Sequence, residues 1–207
     1  MTADAQADQA RVENNAQFRN LLAIAVGLGL AFQVGHFAEH AVQFGVWLFG
    51  KSQWVVSTFC GRDAPYMSRP VTEMVSLMGS YLFPNDNPAR QMMMGMEVLH
   101  LIGNSIFLLT IAGVLCFIPT KLVRYAFYIE GFHLCEHLAL TVTAYYVGKP
   151  IGISTLFGQS TTLWGKEAAV GYRVTWHFLM NLLPMPLVMI AMMQHWSERT
   201  KMSPAAS

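Results

Sequence analysis

Four long apolar runs, each broken by a few polar side chains at helical spacing, carry most of the chain. The first, at about residues 20–50, reads LLAIAVGLGLAFQVGHFAEHAVQFGVWLF. Crossing roughly 30 Å of hydrocarbon takes about 20 helical residues, so this run spans with tilt to spare. Three more follow at about 91–118, 122–147 and 168–193, the last expected to kink near Pro184 and Pro186. Pro119-Thr120-Lys121 is a tight turn between the second and third. Longer capping loops are expected at 51–90, where VTEMVSLMGSYLF predicts a short interfacial or re-entrant helix, and at 151–167. Residues 1–18 and 194–207 read as polar tails flanking one transmembrane domain, 19–193.

The polar interruptions repeat. His36-Phe-Ala-Glu39-His40 and His133-Leu-Cys-Glu136-His137 are both H-x-x-E-H, and each precedes a run carrying H-x-x-x-N: His100 with Asn104, His177 with Asn181. The expected fold is therefore all-α: a polytopic membrane four-helix bundle of two tandem two-span repeats, related by a pseudo-twofold axis along the membrane normal. Counted at 1.5 Å per residue from the two-loop side, His40, His100, His137 and His177 fall within about one turn of the same depth, roughly 12–16 Å in. His36 and His133 lie about a turn deeper, and Glu130 deeper still.

Composition strengthens the membrane reading. Of 207 residues, 54% are hydrophobic and 12% charged, against about 25% charged in ordinary soluble domains. The net charge of +1 gives no basis for nucleic-acid binding. Three cysteines, Cys60, Cys116 and Cys135, make no disulfide framework. Four spans put both termini on one side, and the basic residues near Lys121 and Arg124 favour the cytoplasm for them, in a multi-pass cell-membrane protein. The expected partners are the lipid bilayer and an electron donor or a larger membrane complex.

Intramembrane carboxylates and imidazoles are costly unless they face inward and are paired. A transition metal turns them into ligands, and the expected set is His36, Glu39, His40, His100, His133, Glu136, His137 and His177. Glu97 and Glu130, at E-x-x-H spacing, are the expected catalytic proton carriers, while Asn104 and Asn181 are expected to orient imidazoles. The chemistry suits Fe or Cu, with Zn allowed. This predicts a non-haem di-iron or copper oxidoreductase acting on a lipophilic or small substrate. The alternatives are a b-type haem electron-transfer subunit, a copper or zinc handling or transport protein, and a structural subunit with a metal-free His–Glu network. The run Met92, Met93, Met94 and Met96 reads as packing before it reads as a Cu(I) path. In general style the ligands resemble those of the histidine-rich membrane hydroxylases and desaturases, although this chain has no double-His box. H-x-x-E-H is also the metal-and-base pattern of inverzincin peptidases. The apolar stretches LLAIAVGLGLAF and SIFLLTIAGVLCFI close the terminal side, which predicts a site reached from one face.

Overall fold

A computed structural model describes residues 3–50 and 66–202, with side chains described at 14–50 and 66–201. The first part of the expected 51–90 loop, including Lys51, Cys60 and Arg62, lies outside the described residues. Those described are almost entirely helical, in the order α1 (Ala3–Leu48), α2 (Arg69–Leu82), α3 (Pro88–Phe117), α4 (Lys121–Val147), a 3-10 turn (Ile153–Thr155), α5 (Ser160–Leu182) and α6 (Pro184–Met202).

The helix limits follow from local chemistry. Asn87 accepts a hydrogen bond from the Arg90 N–H and Pro88 opens α3, where a missing N–H costs nothing. Thr120 caps α4 in the same way, and Gly148 ends it in the left-handed region at φ 79°. Leu183 joins α5 to α6 just ahead of Pro184 with helical backbone angles and its N–H bonded to the Leu179 carbonyl, so the expected kink is a one-residue interruption in a continuous run. α5 itself bends at Gly165, whose backbone is non-helical. α1 runs without interruption from Ala3, so the stretch expected as a polar tail forms the first turns of the first helix.

Among the described residues, three helices are long and apolar enough to cross a membrane: Asn14–Leu48, Pro88–Phe117 and the continuous stretch Ser160–Lys201. α4 is 27 residues long but is not among them, because Lys121, Arg124, Glu130, His133, Glu136 and His137 lower its hydropathy. Large apolar side chains such as Ile24, Leu28, Leu109 and Met193 remain exposed. A surface of that kind is stable in lipid and a liability in water.

α1 packs on α3 and α5, and α4 on α3, α5 and α6, while α2 lies against α3. At the Pro119 end, Phe107, Ile111 and Val114 of α3, Val123 and Ala126 of α4, and Val188 and Ala191 of α6 form a closed apolar core. The polar residues gather at the other end. His100 is seven residues before Phe107, or about 10 Å along the helix.

Candidate metal centre

Two groups of three histidines form where the long helices meet. One is His36, His40 and His100; the other is His133, His137 and His177. In each, one ligating nitrogen per residue lies within 4.8 Å of the others. Both are built alike: an i, i+4 pair from one helix, α1 or α4, completed by one histidine from α3 or α5.

Hydrogen bonds fix which nitrogen faces inward. His100 Nδ1 stands 2.8 Å from the Met96 carbonyl, and His177 Nδ1 stands 2.8 Å from the Arg173 carbonyl. A carbonyl only accepts, so in each ring Nδ1 carries the proton and, in the neutral imidazole, Nε2 is a bare acceptor. His177 Nε2 is buried without a partner. Within the i, i+4 pairs the Nε2 atoms face each other, 2.9 Å apart in His36/His40 and 3.1 Å in His133/His137. Two imidazoles bound side by side to one ion at about 2.0–2.1 Å have nitrogens about 2.9–3.4 Å apart. The observed separations fall in that range.

The groups adjoin. The imidazole centroids of His100 and His137 are 5.2 Å apart, and those of His40 and His177 5.9 Å. A cavity of about 240 Å³ lies beside them, bounded by His40, His100, His137, His177, Met67 and Met96. A second, of about 290 Å³, reaches His36 from between α1, α2 and α3.

The carboxylates are placed otherwise than expected. Glu136 accepts from the Ile153 and Ser154 N–H groups at 2.9 and 2.8 Å, and Glu39 accepts from the Ser68 N–H at 2.8 Å. Both lie one residue before a histidine of their motif, on the shoulder of the helix that faces the following loop. They hold loop backbone, and among the described residues the three-ligand groups contain histidine alone. Glu97 is buried and forms an ion pair with Arg173 of α5. Glu130 is buried too, with both oxygens unpartnered; one lies 3.6 Å from His133 Nδ1, beyond hydrogen-bond range. Asn104 and Asn181 donate to the backbone carbonyls of His100 and His177 at 2.9 Å and not to the rings. The task of orienting imidazoles falls to the carbonyls of Met96 and Arg173. Cys135 is exposed and stands apart from the cluster.

Residues 4–206 match the profile of a family of unknown function, DUF6008. The chain belongs to that family. No curated protein and no solved structure matches it.

In this DUF6008 chain, pattern reasoning missed Arg173 and Gln33. Arg173 counts by composition as one more basic residue near a loop, yet it sits four residues before His177, on the same helix face. That spacing was the available signal. Gln33 donates to Asn181 Oδ1 at 3.0 Å, tying α1 to α5 beneath the histidines. Aligned on the two H-x-x-E-H motifs, Gln33 occupies the position of Glu130, each three residues before the first histidine. Glycine sets one close approach. A Cβ on Gly103 would stand 2.8 Å from His36 Nδ1, so only glycine lets that ring lie against α3.

Proposed function

We propose that the chain is an integral membrane metalloprotein whose two three-histidine groups hold a pair of transition-metal ions for redox chemistry. The observation that carries this reading is the pair of matched groups, with His177 Nε2 buried, unprotonated and unpartnered. A buried polar atom without a partner costs about 1–3 kcal/mol, and an ion removes that cost where no protein donor is available. Of the metals a His/Glu set admits, the geometry favours copper. The clustered ligands are all imidazole, and Met67 and Met96 bring thioethers to the cavity, which suits Cu(I). Iron is second, because Glu39 and Glu136 are engaged with the loops and Glu97 with Arg173, which leaves only Glu130 of these carboxylates without a hydrogen-bond partner. Contacting imidazoles favour ions over a haem, whose macrocycle needs a slot between axial ligands.

In this reading the fold is a four-span bundle of two tandem repeats, α1 with α3 and α4 with α5, and the termini are cytoplasmic. Glu97, on the loop side of His100, carries protons between the centre and the loop face, and Glu130 is the carrier on the far side of His133. An electron donor supplies or accepts the electrons.

The test is metal content and an optical spectrum on the same purified sample. We expect about two equivalents of copper or iron per chain, and loss of about one on either His100→Ala or His177→Ala. A Soret band replaces this reading with haem. Fewer than about 0.3 equivalents from metal-replete cells leaves the metal-free clamp, which the Gln33–Asn181 bond and the loop-bound glutamates favour.

A further inference from the structure

The two histidine groups differ in access. His133, His137 and His177 are all buried, whereas His36 and His100 are only partly so. The difference comes from the cavity of about 290 Å³ between α1, α2 and α3, which has His36, His40 and His100 at its floor. Its walls include Phe32, Gly35 and Met74, and these three are exposed on the outer surface. Phe32 and Gly35 belong to the apolar stretch Asn14–Leu48, long enough to cross a bilayer. At that depth an opening on the outer surface faces acyl chains and not water. Among the described residues, nothing lies within 4 Å of a Cβ placed on Gly35.

The lining excludes charged ligands. Among the described residues it holds no lysine or arginine, and the one carboxylate there, Glu39, is occupied by the Ser68 N–H and Gln43. Bringing an ion through such an opening costs the full penalty of charge in hydrocarbon. Its size is at the small end of ligand cavities, which run from about 300 Å³ upward, so it suits one or two rings with a short substituent.

From this geometry we infer that the cavity binds a neutral lipophilic small molecule, such as a ring bearing a hydroxyl or carbonyl oxygen. It enters sideways from the bilayer and presents its polar atom to His36, His40 and His100. This assigns a substrate class to the centre proposed above and rests on that reading for its chemistry, but binding itself needs no metal. The other group, His133, His137 and His177, does not line this cavity and works without contact with the ligand.

The experiment uses the full chain in nanodiscs, metal-free and copper-loaded, with 2-naphthol as the neutral probe and 2-naphthol-6-sulfonate as the charged one. Signal from empty nanodiscs is subtracted. We expect saturable binding of 2-naphthol in both preparations, no binding of the sulfonate, and fluorescence quenching by copper. Gly35→Phe, which fills the opening from a lipid-facing helical position, should weaken binding about tenfold or more with an unchanged melting temperature. Met74→Trp provides a second closure from α2. If neither form of the wild-type protein binds 2-naphthol saturably, or both variants bind it like wild type, the inference is overturned. If binding persists while no metal is retained, the cavity assignment stands and the metal reading fails.

Discussion

Arg173 shows how much one side chain decides here. Its guanidinium meets the fully buried Glu97, and its backbone carbonyl orients His177. Removing one partner of a buried ion pair strands the other charge at a cost of about 3–5 kcal/mol. Arg173→Met should therefore lower the unfolding free energy by about that amount, and Arg173→Met with Glu97→Gln should recover most of it, as read by denaturant titration in detergent. The metal content of the double variant should stay near wild type, because the carbonyl that holds His177 belongs to the backbone. Gly103→Ala should act on the first group alone: its methyl pushes the His36 ring off α3, and elemental analysis should show about one equivalent lost. The histidines were legible in the sequence, because i, i+4 spacing on a helix fixes which rings share a face. The glutamates between them were not. One residue along a helix turns a side chain by about 100°, enough to move Glu39 and Glu136 from the cluster to the loop backbone.

At the scale of elements, those two glutamates tie each H-x-x-E-H helix to the segment that follows it. The loop at Gly152 passes so close that a Cβ there would stand 2.6 Å from Glu136 Oε1. Gly152→Ala should break the pair of bonds to Ile153 and Ser154, and limited proteolysis should then cut the 148–159 region faster while α5 stays intact. The N-terminus of α3 makes a smaller claim: Asn87→Ala removes the cap bond to the Arg90 N–H and should cost about 1 kcal/mol by the same denaturant measurement. Helix positions were readable from apolar period and from the proline and glycine stops at Pro88, Pro119 and Gly148. The helical state of residues from Ala3 onward was not, because their polar composition carries no periodic apolar face to mark it.

At the scale of the whole molecule, the open question of topology is α4. Its hydropathy is lowered by the same histidines and glutamates that point inward, so composition understates its fitness for lipid, while its outward Phe132, Leu138 and Val142 are exposed and apolar. Single cysteines placed at Thr120 and at Gln159, in a background with Cys60, Cys116 and Cys135 replaced, should react with an impermeant maleimide from opposite faces of sealed vesicles. Labelling from one face would reduce the spans to a number that leaves α4 uncrossed and would overturn the four-span reading. Helices long and apolar enough to span a membrane were plain from composition, but the choice of partner for each histidine pair required tertiary contacts that no local pattern encodes.

The division of ligands along the chain has a consequence for biogenesis. His36, His40 and His100 all precede the Pro119 turn, and His133, His137 and His177 all follow it. Helical segments emerge from the ribosome in order, and N-terminal units fold first. The first three imidazoles can thus assemble before the second three have been translated. On the proposed two-ion reading, maturation would follow that order, the His36, His40 and His100 group receiving its ion before the His133, His137 and His177 group forms.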